Sequence, residues 1–348
     1  MTTGTTQVRL ILVGVGNVGG RLLELLDRKQ GTLCEDLGLD VRVTGVSDRS
    51  GLAICSSGLD VQEILRLKRE GQGVAAYGEW GQPGRTALDL VRTADADLLV
   101  EASPANMVDG QPGLGCIETA LVRGMHVVTA NKAPLVLAYD RLLDLARRHK
   151  VQLRFDATVA GGLPAINLGQ RDLAAAHIHR LEGVVNLTTN YILTRMAEDG
   201  LSYEEALGDA QRAGHAETDP TLDVEGWDAA NKLVILARSV LGVPATLDDI
   251  AVQGITGIGT DLLSQAMAAG KRVKLVAVAV LEDGGYRFEV KPTWLDANHP
   301  LAQLGAKQMG IVFHTDISGS ISAAIVEETP LPTASAVLRD LVQIYTLG

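Results

Sequence analysis

The stretch Val8-Arg-Leu-Ile-Leu-Val-Gly-Val-Gly-Asn-Val-Gly-Gly20 constrains the fold more than any other part of the chain. It is an apolar run suited to a buried parallel strand, broken by Gly14, Gly16 and Gly19 and continued by Arg21-Leu-Leu-Glu-Leu-Leu-Asp27 at helical spacing. Gly14 permits a tight turn, Gly16 lets backbone approach a pyrophosphate, and Gly19 allows close packing of strand on helix. The amino terminus of the new helix attracts phosphate charge. Such a strand-turn-helix binds a dinucleotide. A second apolar run, Val41 to Ser47, ends in Asp48, where an acid accepts from a ribose hydroxyl. Arg49 beside it can pair with a 2′-phosphate, so the two residues leave NAD and NADP both open, with NAD favoured.

Strand-like and helical segments alternate beyond this point, as a doubly wound parallel sheet requires. A helix is predicted from Asp60 to Glu70, followed by a polar, Gly-rich surface loop from Gly71 to Arg85. Asp97 to Ser103 and His126 to Ala130 read as strands. They bring Ser103-Pro104 and Asn131-Lys132 to the carboxyl edge of the sheet, where open α/β folds bind ligands. The texture changes at Leu153, where Phe155 to Pro164 forms a small-residue crossover. Helices are expected over Tyr203–Gln211 and Asp228–Leu241, then strands over Val273–Leu281, Tyr286–Lys291 and Ile311–Thr315, and a last helix over Pro332–Gln343.

Between Gly214 and Leu233 the chain packs Glu217, Asp219, Asp223, Glu225 and Asp228 into one short loop, with Lys232 one helical turn after Asp228. Converging carboxylates repel one another, so the arrangement suits a site where a substrate ammonium, a metal or a lysine occupies the middle. A solvated acidic loop with an ordinary helical Asp-Lys pair has the same composition.

The net charge of −11 over 348 residues argues against a nucleic-acid partner, since phosphate binding needs a basic face. No apolar run reaches membrane-spanning length, and the start, Met1 to Arg9, carries no export signal, so a cytoplasmic protein is expected. Cys34, Cys55 and Cys116 are odd in number and widely spaced, which fits reduced thiols. His177 and His179 read as surface residues, with no other His or Cys near them in the sequence.

These pieces resemble the homoserine dehydrogenase family over nearly the whole chain. The matching motifs are Gly14-Val-Gly-Asn-Val-Gly19, Glu101-Ala-Ser-Pro-Ala-Asn106, Val127-Val-Thr-Ala-Asn-Lys132, Ala157 to Pro164, Asn190-Tyr-Ile-Leu193, Glu217-Thr-Asp-Pro220, Gly226-Trp-Asp-Ala-Ala230 and Pro332 to Ala336. The resemblance is to a short form without a C-terminal regulatory domain. It implies NAD(P)-dependent interconversion of L-homoserine and L-aspartate 4-semialdehyde, a step of threonine and methionine biosynthesis, in a homodimer that binds a small amino-acid substrate.

Two domains are expected from it. Residues 1–157, completed by 330–348, form a Rossmann-type NAD(P) domain, and 158–329 form a mixed α/β domain for substrate binding and dimerisation. Carried over position by position, the resemblance implies Lys232, Lys132 and Asp228 as catalytic and Glu217, Asp223, Asp228 and Thr188 as substrate-binding. The cofactor positions are Gly14, Gly16, Asn17, Val18, Gly19, Asp48, Arg49, Ser103, Pro104, Asn131, Lys132, Gly214 and Glu217. A monovalent cation such as sodium maps to Asp156, Val159, Gly161 and Leu163, with Asp156 where the family usually has Glu. At Leu187 a leucine replaces a glycine of the family, a poor choice if the backbone there needs positive φ. Glu327-Glu-Thr-Pro330 likewise replaces a Gly-rich turn. A related dehydrogenase for another small hydroxy or aldehyde acid, and a non-catalytic dinucleotide-binding protein, are the alternatives.

Overall fold

The computed structural model describes residues 5–346, so the first four residues of the amino-terminal stretch read for export signals lie outside the described residues. The chain divides into two compact units, 1–162 with 329–348, and 163–328.

The first unit is built on a seven-stranded sheet. Its strands are β1 (Thr6–Val13), β2 (Leu39–Asp48), β3 (Gly51–Ile54), β4 (Gly81–Pro83), β5 (Leu98–Glu101), β6 (His126–Thr129) and β7 (Leu153–Arg154), in the order β4-β3-β2-β1-β5-β6-β7. β2, β1, β5, β6 and β7 run parallel. β3 and β4 add an antiparallel edge. The predicted loop 71–85 therefore carries two single-turn helical segments and an edge strand. The chain reverses its direction of travel across the sheet between β1 and β5, which is where a doubly wound sheet opens its ligand crevice. This is a Rossmann-type architecture.

Parallel strands covered on both faces need apolar side chains on both sides, and Leu10, Ile11, Leu12, Leu98, Leu99 and Val100 are all fully buried. Helix Asn17–Gly31 turns Leu22, Leu23 and Leu26 onto the same core. Helix Leu331–Thr346, from the far end of the chain, adds Ala334, Val337, Leu341 and Ile344 to it.

The second unit carries β8 (Ile178–Val184), β9 (Ile250–Val252), β10 (Lys271–Glu282), β11 (Gly285–Asp296), β12 (Gln308–Thr315) and β13 (Ser320–Val326). They form a mixed sheet in the order β13-β12-β8-β10-β11-β9, antiparallel except between β11 and β9. Val184, Val276, Val278 and Val312 on one face pack under Leu301, Ala302 and Leu304 of the segment after β11. Helix Leu187–Asp199 is pinned to this segment by the buried Lys274. Its ammonium donates to Asn190 Oδ1 at 2.7 Å, Thr194 Oγ1 at 2.9 Å and the Leu304 carbonyl at 2.8 Å. Burial pushes the Lys274 pKa down to about 8.

His177 and His179 are exposed, but the sequence neighbourhood misled about what surrounds them. The His179 ring lies 6.3 Å from that of His314, whose Nε2 is 2.9 Å from the buried Glu182 carboxylate. Among the described residues no group of His, Cys, Asp and Glu has the arrangement of a metal site. Among them, too, no helix is long and apolar enough to cross a membrane. Cys34 is exposed and Cys55 and Cys116 are buried, all three as free thiols.

Candidate functional site

In the first unit the carboxyl edge of the parallel sheet gathers the residues that the sequence marked for a dinucleotide. Gly14 follows β1 with φ +94°, and a Cβ there would sit 2.5 Å from the Ala102 carbonyl oxygen, so only glycine fits this turn. At Gly19 a Cβ would fall 2.0 Å from the Gly14 oxygen, which is the close strand-helix packing the motif requires. Gly16 caps helix Asn17–Gly31 with no side-chain hydrogen bond, and no atom lies within 4 Å of where its Cβ would be. Exposed backbone at an uncapped helix amino terminus fits a pyrophosphate. Asn17 is exposed beside it and Val18 packs against the core.

Asp48 closes β2 as expected, yet its carboxylate is already engaged. Oδ1 accepts from the Ser50 amide at 2.9 Å and the Ser50 hydroxyl at 2.6 Å, and Oδ2 from Lys68 Nζ at 2.6 Å and the Val74 amide at 3.2 Å. Burial alone would raise this carboxyl, but Lys68, Ser50 and Val74 hold it below the usual carboxylate range. Arg49, next in sequence, is exposed. Sequence reasoning missed Lys68, which stands 20 residues away on helix Val61–Arg69.

The ends of β5 and β6 meet at Glu101, a carboxylate with no exposed surface. It accepts from the Ser103 amide at 2.9 Å, from the Ser103 hydroxyl, and from Thr129 Oγ1 at 3.2 Å. Asn131 bonds to it as well. Asn131 caps helix Lys132–His149, with its side chain accepting from the Ala133 amide at 3.1 Å, so Lys132 is the first helical residue and is half-buried. Pro104 is exposed.

Asp156, the first expected cation ligand, is buried and forms an ion pair with Arg339, and its amide donates to Asp340 at 2.8 Å. The same guanidinium reaches the Gly162 carbonyl at 3.3 Å. A positive group from the protein already neutralises Asp156, so this residue fits a bound monovalent cation poorly. Val159 is buried, Gly161 has φ +59°, and in the second unit the Leu163 carbonyl accepts from the Ala165 amide at 2.8 Å.

The second unit holds the acid-lysine cluster. Lys232 and Asp228 face each other one turn apart on helix Trp227–Ser239, with Nζ 2.7 Å from Asp228 Oδ2. The same ammonium donates to the Val185 carbonyl at 2.7 Å. Asn186 bridges the acids, its Nδ2 lying 2.7 Å from Asp223 Oδ1 and 2.8 Å from Asp228 Oδ2. The Thr188 hydroxyl stands 2.8 Å from Asp223 Oδ2 and 2.7 Å from the His215 carbonyl. Thr188, Asp223, Asp228 and Lys232 thus converge through Asn186, the neighbour of Leu187 that the expected site residues left out. Its signal was the preference of asparagine for helix caps, since it caps Leu187–Asp199 and accepts from the Thr189 amide at 2.8 Å.

Leu187 is the first residue of that helix and half-buried. Among described residues other than glycine, only Lys150 and Ala160 have positive φ, so the local backbone accepts leucine without strain. Glu217 and Gly214 lie on the exposed loop after helix Tyr203–Arg212, with Gly214 at φ +76°. His215 between them packs its ring 4.8 Å from that of Tyr191, and burial, then the Lys307 charge, lower its pKa.

A buried acid-lysine pair in one unit and a glycine-turn nucleotide edge in the other agree with what the chain is similar to. Residues 14–156 match the family model for the homoserine dehydrogenase NAD binding domain, and residues 164–342 match that for homoserine dehydrogenase. The homoserine dehydrogenase of Methanocaldococcus jannaschii is 37% identical over 97% of this chain and 98% of its own. The NAD(+)-dependent homoserine dehydrogenase of Pseudomonas canavaninivorans is 35% identical over 98% and 97%. A crystal structure of a putative homoserine dehydrogenase from Archaeoglobus fulgidus superposes with a TM-score of 0.87 at 39% identity, covering 97% of this chain and 99% of that one. With both halves matched and relatives aligned from end to end, the chain belongs to the homoserine dehydrogenase family and is an NAD(P)-dependent oxidoreductase.

Proposed function

We propose that Lys232 is the proton donor and acceptor in the interconversion of L-homoserine and L-aspartate 4-semialdehyde, with Asp228 holding its ammonium in place. When bound, the nicotinamide supplies or takes up the hydride. Reduction of the aldehyde places negative charge on its oxygen, and an ammonium directed at that oxygen stabilises the charge and delivers a proton. The observation that carries this reading is the 2.7 Å contact between Lys232 and Asp228 inside a cluster that also contains Asp223, Thr188 and Asn186.

Asp223, Asp228, Thr188 and the exposed Glu217 form the recognition set for the substrate ammonium in this reading. Lys132 takes the position beside nicotinamide and substrate. Gly14, Gly16, Asn17, Val18 and Gly19 hold the pyrophosphate, Asp48 and Arg49 read the ribose, and Ser103, Pro104, Asn131, Gly214 and Glu217 complete the cofactor contacts. NAD is the preferred dinucleotide with NADP tolerated, because the Asp48 charge is offset by Lys68 and flanked by Arg49. A monovalent cation at Asp156, Val159, Gly161 and Leu163 would rest on backbone carbonyls, since Arg339 already neutralises the Asp156 carboxylate.

The first unit is assigned to cofactor binding, and the second to substrate binding and dimerisation. β13 lies at the edge of its sheet with Ser320, Ser322, Ala324 and Val326 exposed, and an unpaired edge suits a second chain. The net charge of −11 goes with a protein that binds no nucleic acid, in the cytoplasm. Purified protein assayed with homoserine and each of NAD and NADP, following nicotinamide absorbance, tests the reading. Turnover of homoserine with either dinucleotide supports it, and cofactor binding without turnover overturns it.

A further inference from the structure

A carboxylate removed completely from water normally has a cation or a metal against it, because an unpaired buried charge is costly. Glu101 has no exposed surface, yet the groups bonded to it are neutral: the Ser103 amide and hydroxyl, the Thr129 hydroxyl and the Asn131 side chain. What lies behind these bonds favours one direction. Thr129 Oγ1 accepts from the Asn131 amide at 3.0 Å, and Ser103 Oγ accepts from Asn131 Nδ2 at 3.4 Å, so both hydroxyls turn their protons toward Glu101. Every group around the carboxylate donates, which is the arrangement an ionised acceptor requires.

These donors belong to the two segments that leave the carboxyl edge of the sheet, Ser103 after β5 and Asn131 after β6. Glu101 and Thr129 are themselves register partners across those strands. The surroundings keep the space clear for the junction. Gly113 opens helix Gly113–Val122, and a Cβ there would fall 2.7 Å from Asn131 Nδ2 and 3.0 Å from Glu101 Oε2. The first residue of that helix thus lies against the carboxylate, and negative charge is favoured near a helix amino terminus.

We infer that Glu101 is a positioning residue for the reaction: its ionised carboxylate locks Ser103–Pro104 and Asn131–Lys132 into one rigid edge and so aims the Lys132 ammonium. Glu101 is buried behind these segments and acts only through them. Protonation would place a hydroxyl where each neighbour already donates, opening the junction. Burial pushes this carboxyl up, while Ser103, Thr129 and Asn131 pull it down, and the net direction is upward. Activity should therefore lose an acid limb when Glu101 can no longer titrate.

The inference rests on the reading of Lys132 as a residue beside the reacting atoms, and the test separates the two. Glu101→Gln keeps the shape but adds two donor hydrogens facing other donors. It is expected to lower kcat by about 100-fold, the effect of a small misplacement of a catalytic group. The dissociation constant of NADPH, read by fluorescence, should rise far less than kcat falls, about 10-fold at most, because the glycine turn and helix amino terminus still hold the pyrophosphate while the Ser103 and Asn131 contacts loosen. The acid limb of the pH profile should vanish, and Glu101→Asp should recover part of the loss. Wild-type kcat and an unchanged pH profile in Glu101→Gln, alongside an inactive Lys132→Ala, overturn the role of Glu101 alone. An active Lys132→Ala overturns the reading of Lys132 and this inference with it. Should Glu101→Gln fail to fold, Thr129→Val decides: it removes one donor with little change of shape, and unaltered kcat and acid limb in that variant overturn the inference.

Discussion

Lys232 Nζ stands 2.7 Å from Asp228 Oδ2, and both side chains are largely buried. A lysine held by a carboxylate one turn earlier on the same helix is aimed, not merely neutralised, because the backbone fixes the spacing of the pair. Lys232→Ala should therefore lower kcat by about 100- to 1000-fold, the usual loss for one electrostatic donor to a developing oxyanion. Dinucleotide binding should change little. Steady-state turnover compared with a cofactor titration checks both halves, and near-normal turnover would remove Lys232 from the mechanism.

Leu187 opens helix Leu187–Asp199 with ordinary helical backbone. Leu187→Gly is expected to loosen this turn and cost about 0.5–1 kcal/mol, the helix penalty of glycine. It should not improve use of homoserine. A thermal melt and the Michaelis constant, measured on the same variant, decide the matter. A lower Michaelis constant with an unchanged melt would mean that the leucine crowds the substrate.

Asp48 ties down Lys68 and the amides of Ser50 and Val74. Asp48→Ala removes the ribose acceptor and frees Lys68, which with the exposed Arg49 can pair with a 2′-phosphate. The ratio of the NADP to the NAD specificity constant should rise. An unchanged ratio would show that this end of β2 does not read the ribose.

The Lys274 pKa, about 8 in the fold against 10.5 ordinarily, makes stability depend on pH in a defined direction. A base whose folded value is lowered binds a proton in the unfolded chain that the folded chain lacks, between those two values. Stability should thus rise with pH across that window, by at most about 1.4 kcal/mol per pH unit from this group. Urea unfolding of wild type and Lys274→Met at pH 7.5 and 9.5 isolates the contribution. The difference between the two proteins must shift in favour of wild type at the higher pH; a constant or falling difference refutes the assignment.

Much of the nucleotide unit was legible because its signals are local. Val8 to Val13 is continuously apolar and punctuated by glycine, and the strand and turn follow directly. β3 and β4 escaped because four and three residues are too short to show a period, and they exist only by pairing with β2 and with each other. The acid-lysine loop was visible as a concentration of charge. Its bridge, Asn186, was not, since it meets Asp223 and Asp228 from 37 and 42 residues away. Glu101 lay inside a recognised motif, but a strand-end glutamate looks the same in sequence whether it faces water or is sealed beneath two loops.

Helix Leu331–Thr346 completes the core of a unit whose other parts end at Gly162. On the ribosome, Leu22, Leu23 and the strands beneath them must wait while residues 163–328 are made, on the order of ten seconds or more at typical elongation rates. The inserted unit has all its strands in hand by then and can fold first. The nascent nucleotide unit meanwhile exposes the apolar surface that Val337, Leu341 and Ile344 will cover. The core under the glycine turn can therefore close only once residues 331–346 have been made, long after Gly14 to Gly19 were synthesised.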